Sequence, residues 1–369
     1  MPSRLLTAAL LLRRLLVPGA RRRPVAPVRV LVLHHLLLGD SLMLTPLVAK
    51  LRALHPDAQI VLAMPRAIAP LYSGRPYGVT PVVYDPRDAG TIRQMARRWP
   101  DGFDLALVPG DNRWAWLARA LGARWVTAHA GDRPEWKNWM VDEALPYPSA
   151  PGAWGDIVAG LVDGPPPPPY RPDDWPAPPA RAFERPAGRY AVLHVGASSP
   201  LKFWPAQNWH SLAAHLSAQG IEPVWSGGPR EEPLVAAIDA EGRHRSYAGA
   251  LDLAQLWALL AGARLLVSPD TGVAHLGRLA GVPTLTLFGP GSAVICGKGD
   301  FWRDSPYVAA TIDPFPCRDQ TVLFRRDIAW VRRCGRGTDQ CAQARCMLAL
   351  LPEAVLAQAD ALLAGESPR

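Results

Sequence analysis

The sequence predicts an α/β protein built as two successive domains, and three observations carry that prediction. The chain has 369 residues, too many for one ordinary core. Apolar, strand-like runs alternate with helical patterns, and the alternation occurs twice, as parallel βαβ units require. Between the two series proline becomes dense, from Pro165 through Pro169 and again at Pro172, Pro176, Pro178 and Pro179. Such a run favours extended polyproline II and cannot sit in a helix or inner strand. A proline-rich recognition motif would look similar, but a stiff linker suits its place between two α/β series. The expected divisions are a basic extension over 1–27, a first domain over 28–163, a linker over 164–188, a second domain over 189–350, and a helix and tail over 351–369.

The first series opens with a strand, Val28 to Leu33, that runs into the loop Leu38-Gly39-Asp40. A helical pattern follows from Ser41 to His55, with Pro56-Asp57 as its stop. Ala58 to Met64, Pro81 to Tyr84 and Asp104 to Val108 read as further strands. The second series runs from the strand Tyr190 to Val195 through a helix, Asn208 to Gln219, to a strand, Ile221 to Ser226. Beyond Gly227-Gly228 a helix reaches about Ala240, and another spans Leu251 to Ala261. The strand Arg264 to Ser268 precedes a helix ending near Ala280, and Val282 to Phe288 is the last strand. Two such domains imply a cleft between them, and ligands in open parallel sheets sit beyond the carboxyl ends of the strands.

Hydrophobic residues make up 49% and charged residues 20% of the chain, as in a soluble globular protein. The formal charge of +8 does not mark a nucleic-acid-binding face. Residues 1–29 hold Arg4, Arg13, Arg14, Arg21, Arg22, Arg23 and Arg29 and no acid, so +7 of the +8 lies there. The apolar part of this extension is too short to span a bilayer and shows no cleavage site for a signal peptide. Either a basic helix lying on anionic lipid or a self-packed extension would account for it. With no other apolar run of spanning length, the body is expected to be cytoplasmic.

Three stretches carry chemistry. Ser268-Pro269-Asp270-Thr271-Gly272-Val273-Ala274-His275 lies where a strand ends and a helix starts. Asp270 and Thr271 suit an N-cap, Gly272 admits a close ligand, and the free N–H groups of a helix start favour phosphate. His275, one turn on, adds a donor. A capped helix with a satisfied histidine would show the same residues. His194-Val195-Gly196-Ala197-Ser198-Ser199-Pro200-Leu201-Lys202 delivers hydroxyls, loop N–H groups and an ammonium, which suit a diphosphate, although a surface loop with a solvated lysine would read alike. Gly39-Asp40-Ser41 places a carboxylate at the end of the first strand, fit for a general base or for helix capping.

Taken together, these stretches resemble glycosyltransferase family 9, the group of the lipopolysaccharide heptosyltransferases. The resemblance rests on Gly39-Asp40 with Thr45-Pro46, on Gly196 with Lys202-x-Trp204-Pro205, on Gly227-Gly228-Pro229-x-Glu231, and on Asp270-Thr271-Gly272-x-x-His275-Leu276, in that order. Cys346-Met347 and Pro352-Glu353-x-Val355 extend it, so that it runs from about Val28 to Leu356. It implies a GT-B fold of two Rossmann-like domains and an inverting transfer from a nucleotide-diphosphate sugar, typically ADP-heptose, to a lipopolysaccharide or other glycan. By the same match Asp40 would be the base. Lys202, with Ser198 or Ser199, would neutralise the departing diphosphate. Asp270, Thr271, Gly272 and His275 would line the diphosphate and sugar, and Glu231 or Glu232 would take the ribose. Lysine and helix-start donors then do the charge work, so no catalytic metal or other cofactor is expected. A sugar-nucleotide 2-epimerase of similar fold, or a non-catalytic sugar-nucleotide-binding protein, would share these features. No Gly-x-Gly-x-x-Gly follows the first strand, which argues against an NAD enzyme.

The chain departs from the family pattern at Gly289-Pro290-Gly291-Ser292 and over Ile295 to Arg336, where Arg325, Arg326, Arg332 and Arg333 form a basic patch. Cys317, Cys334, Cys341 and Cys346 fall in or beside that stretch. Four thiolates can hold zinc or iron, and some relatives hold iron there, so a structural metal is one expectation and free thiols the other. Asp111-Asn112-Arg113-Trp114 and Arg133 to Trp139 are expected contributors to an acceptor pocket.

Overall fold

A computed structural model describes residues 2–15 and 22–365. Residues 16–21 of the basic extension and 366–369 of the tail lie outside the described residues. The chain forms two compact units, one of residues 1–168 with 322–330, the other of 169–321 with 331–369.

The first unit holds α1 (Pro2–Leu15), β1 (Arg29–Leu33), α2 (Leu38–Leu42), α3 (Thr45–Leu54), β2 (Gln59–Met64), β3 (Thr80–Val83), α4 (Ala89–Arg98), β4 (Phe103–Val108), α5 (Trp114–Ala120), β5 (Ala123–His129), β6 (Glu143–Leu145) and α6 (Trp154–Ala159). Its six strands are all parallel, in the order β3-β2-β1-β4-β5-β6. The order reverses between β1 and β4, and the loops 34–37 and 109–113 begin at their carboxyl ends, the place where open α/β sheets bind ligands. Pro81 lies in the edge strand β3, where a missing ladder donor is tolerated.

The helix expected over Ser41 to His55 is two helices. Pro46 lacks the N–H that an uninterrupted helix needs, and it stands at the start of α3, while the Thr45 hydroxyl donates to the Leu42 carbonyl at 2.5 Å. α2 therefore starts earlier and carries Asp40 in its first turn. α1 packs on α4 and α5 through Leu6, Leu10 and the buried Leu11, and its Arg14 donates to the Pro100 carbonyl at 2.6 Å. The described part of the extension is thus docked on its own domain.

The second unit holds β7 (Tyr190–His194), α7 (Ala206–Ala218), β8 (Glu222–Ser226), α8 (Glu232–Ile238), α9 (Leu253–Ala261), β9 (Leu265–Pro269), α10 (Gly272–Leu279), β10 (Thr284–Phe288), β11 (Tyr307–Thr311), α11 (Arg345–Leu348) and α12 (Pro352–Leu363). Its sheet is parallel, in the order β11-β10-β9-β7-β8, with the reversal between β7 and β9. α7 and α12 cover one face. Trp209 of α7 is fully buried, with its ring edge-on to Trp204 at 5.2 Å and to Trp225 at 6.4 Å. Each such pair adds about 0.5–1.5 kcal/mol beyond its buried area. The end of the proline-rich run is pinned to this unit. The Tyr170 hydroxyl donates to the Leu279 carbonyl at 2.6 Å, and Trp175 stacks on Trp257 of α9.

Candidate functional site

Two loop clusters stand at the two sheet reversals. In the second unit, β7 ends at the buried His194, whose Nδ1 lies 3.1 Å from the Ser226 hydroxyl at the end of β8. Burial pushes this imidazole down to about 4, so it stays neutral. The chain then makes a short turn over Pro200–Lys202, opened by Ser199, whose hydroxyl accepts from the Leu201 N–H at 3.3 Å. The turn aims Lys202 at β9. Its ammonium donates to the Asp270 carboxylate at 2.9 Å and to the Asp270 carbonyl at 2.7 Å. Lys202 is partly exposed and Asp270 nearly buried. The loops after β7 and β9 thus meet where the strand order reverses.

Thr271 is the N-cap of α10, and its hydroxyl accepts from the Val273 N–H at 3.2 Å. Asp270 is not the cap, because its carboxylate is turned to Lys202. Thr271 and Gly272 are partly exposed, so the first turn of an eight-residue helix is open to a ligand beside an ammonium. His275 is buried, and its pKa lies well below the ordinary histidine value, first from burial, then from the charges of Arg278 and Lys202. Ser198 is exposed on the loop before Lys202.

The structure separates the two glutamates. The Glu231 carboxylate accepts from the Gly228 N–H at 2.5 Å and lies so close to Gly196 that a Cβ there would sit 1.7 Å from it. Glu232 turns to Gly249 instead. Only Glu231 therefore belongs to the loops at the carboxyl ends of β7 and β8. Gly291 has a similar reason to be glycine, since a Cβ would fall 2.2 Å from the Asp270 carboxylate. The unusual loop Gly289-Pro290-Gly291-Ser292 thus leaves room for the partner of Lys202.

In the first unit, Asp40 is half-buried in the first turn of α2, where a carboxylate is favoured by the helix dipole. Leu37, not Asp40, is the N-cap. Beside the neighbouring strand end lies a polar network that the sequence reading did not foresee. Residues Val322–Leu323 and Arg326–Asp327 form a two-stranded hairpin, with Phe324 and Arg325 at positive φ in its turn. Arg326 is 3% exposed. Its guanidinium donates to the carbonyls of Gly110, Ala130 and His129 at 2.6, 2.8 and 3.0 Å and to Asn112 Oδ1 at 2.8 Å. Asp132, fully buried, accepts from Lys137 at 3.0 Å and from the Asn112 N–H at 2.8 Å. His129 is held neutral, pushed down to about 4 by burial and by Arg326. Asn112 and Lys137, expected at an acceptor pocket, are internal members of this network. Trp136 and Trp139, at 43% and 66% exposure, remain at the surface.

Among the described residues no three histidine, cysteine or carboxylate groups stand together as metal ligands. The Cys341 thiol donates to the Gln343 carbonyl at 3.3 Å, Cys334 sits 3.8 Å from the Arg336 guanidinium, and Cys346 is buried. The spacing of Cys317, Cys334, Cys341 and Cys346 therefore does not become a tetrahedral thiolate set, and the expected structural zinc or iron is not supported by the residues present.

The family model for glycosyltransferase family 9 (heptosyltransferase) matches residues 101–312. The chain belongs to glycosyltransferase family 9. Lipopolysaccharide heptosyltransferase 1 of Pseudomonas aeruginosa is 28% identical to this family 9 chain over 185 residues, 48% of this chain and 49% of that protein. The family 9 chain thus spans about half the length of that curated relative. A family 9 glycosyltransferase of Veillonella parvula has the same fold, with a TM-score of 0.68 at 17% identity, over 92% of this chain and 98% of that one. The ADP-heptose lipopolysaccharide heptosyltransferase II of E. coli aligns with a TM-score of 0.66 at 19% identity, over 91% and 98%. The family 9 chain accordingly has the GT-B architecture of two Rossmann-like domains.

Proposed function

We propose that the chain is an inverting glycosyltransferase. It would move a sugar, heptose by its family, from a nucleotide-diphosphate sugar such as ADP-heptose to a lipopolysaccharide or related glycan. The observation that carries this reading is the Lys202–Asp270 pair set at the open first turn of α10. An ammonium beside the partly exposed start of α10, whose dipole end favours negative charge, suits a diphosphate at this sheet reversal.

In the proposed reaction Asp40 takes the proton of the acceptor hydroxyl. The acceptor oxygen forms its bond to the anomeric carbon as the bond from that carbon to the diphosphate oxygen breaks. The electron pair leaves on the diphosphate, where Lys202, the Ser198 or Ser199 hydroxyl and the α10 N–H groups stabilise the charge. A single displacement inverts the anomeric centre. Thr271, Gly272 and His275 hold the donor, and Glu231 takes the ribose. The test is direct assay of ADP-, GDP-, UDP- and dTDP-sugars, each alone and with a lipopolysaccharide acceptor, on the wild type and Lys202→Met. Transfer only with acceptor present, reduced about 10²–10³-fold by Lys202→Met, is expected. Turnover of the donor sugar without acceptor, or full activity of Lys202→Met, would overturn the assignment.

The acceptor chemistry gives α1 a part as well. Among the described residues no helix is long and apolar enough to cross a membrane. The face of α1 away from the core presents Leu5 and Leu12, 72% and 62% exposed, between Arg4 and Arg13. Apolar side chains flanked by arginines suit an anionic lipid surface. The protein is expected to sediment with vesicles containing phosphatidylglycerol and not with phosphatidylcholine vesicles. The double variant Leu5→Asp, Leu12→Asp should bind about tenfold more weakly. Equal binding by wild type and variant would remove α1 from the contact.

A further inference from the structure

Arg278 has no place in the motifs that relate this chain to its family, yet it is among the most buried charges in the second unit, at 2% exposure. It lies one helical turn beyond His275 on α10, so the two side chains share a face. Its guanidinium touches Nδ1 of His275. The same group donates to the Gly297 carbonyl at 2.6 Å and reaches the Cys296 carbonyl at 3.4 Å. It is held between two rings, Trp302 at 4.7 Å and Tyr307 of β11 at 4.8 Å.

The chemistry of the contact decides the state of the histidine. A guanidinium carries only donors and keeps its charge at any working pH. The ring nitrogen that it touches must therefore accept, and the proton of a neutral imidazole must sit on Nε2. A doubly protonated ring has no acceptor to offer, so the contact also excludes the cation. The charged and titratable groups around the ring agree with this. Arg278 on its own helix and Lys202 from the turn after β7 both act on His275, and Asp270 is already paired with Lys202. Tyr307 of β11 and Cys296 of the loop lie on the guanidinium.

We propose that Arg278 is a positioning residue: it fixes His275 as a neutral imidazole with its proton on Nε2, ready to donate to the donor diphosphate. The role toward a diphosphate rests on the function proposed above, whereas the tautomer does not. The arrangement has a second consequence, because one side chain holds both His275 and the loop at Cys296 and Gly297, where this chain departs from its family. Movement of that loop and the hydrogen-bonding state of His275 are joined through a single guanidinium.

Nitrogen NMR of the intact protein, labelled at histidine and assigned with His275→Gln, tests the proposal. In the wild type, Nδ1 of His275 should be pyridine-like and Nε2 pyrrole-like, with no change from about pH 8 to about pH 5.5. In Arg278→Met the ring should become a mixture of tautomers, while burial still holds it neutral over that range. The KM for the sugar nucleotide should rise about tenfold, with kcat changed less than twofold. Arg278→Lys, which keeps a charged donor, should restore most of the KM. A wild-type ring protonated on Nδ1 would overturn the proposal, whatever the fate of the variants. So would an Arg278→Met protein with unchanged tautomer and KM. If the tautomer is as stated but no nucleotide-diphosphate sugar binds, the functional reading fails and the Arg278–His275 assignment stands.

Discussion

Asp40→Asn is expected to lower kcat by roughly 10²–10⁴-fold, the usual contribution of a positioned general base. Asparagine has nearly the same shape and stays compatible with the first turn of α2, but it cannot take a proton. The groups proposed to hold the donor all belong to the second unit, so affinity for the sugar nucleotide should stay within about twofold of wild type. Initial-rate assays at saturating donor, beside donor titration by calorimetry, measure the two quantities separately. Full activity would place the base elsewhere, and loss of donor binding would make the substitution a folding defect.

Arg326→Met should produce the largest loss of stability among single substitutions outside the apolar core. The methionine fills part of the volume but donates nothing. The carbonyls of Gly110, His129 and Ala130 and Asn112 Oδ1 would each lose a charged donor. Removing one member of a buried charged network costs about 3–5 kcal/mol, or a fall of roughly 10 °C in Tm for a domain of this size. Thermal unfolding measures the total. Hydrogen exchange locates it, because protection should fall over 322–330 and 109–113 and persist in α7 and β9. A variant with unchanged Tm would show that the network contributes nothing net.

Much of the fold is readable from periodicity. Of the first unit's six strands, β1, β2, β3 and β4 appear as apolar runs within a residue or two of their bounds. β5 does not, because Arg124, Thr127 and His129 interrupt its apolar residues. β6 is a three-residue edge strand, and the centre of β11 is Ala309-Ala310, which carries little strand signal. The break between α2 and α3 was missed, although Thr45-Pro46 carried its signal, since proline at a helix start has a definite meaning. Asp40, Lys202 and the Asp270–His275 run were singled out by the ordered resemblance to family 9, since local spacing alone left helix capping and a solvated lysine open. Arg278 was not. An arginine three residues from a histidine on a helix reads as a solvated charge, and only Trp302 and Tyr307, brought in by a loop and a strand, make it internal. Arg326 is similar, since nothing local separates it from Arg325, Arg332 and Arg333 of the same basic patch.

The hairpin at 322–327 has a consequence for how the protein is made. The first unit runs without interruption to residue 168, but the segment that carries its Arg326 follows only after the 153 residues 169–321 of the second unit. At a synthesis rate of about 5–20 residues per second, the ribosome needs roughly 8–30 s to supply it. Throughout that interval the nascent first unit carries an empty socket lined by the Gly110, His129 and Ala130 carbonyls and Asn112. The last touch to the earlier domain waits on translation of most of the later one, so a ribosome stalled in between leaves the first domain without the group that ties the ends of β4 and β5.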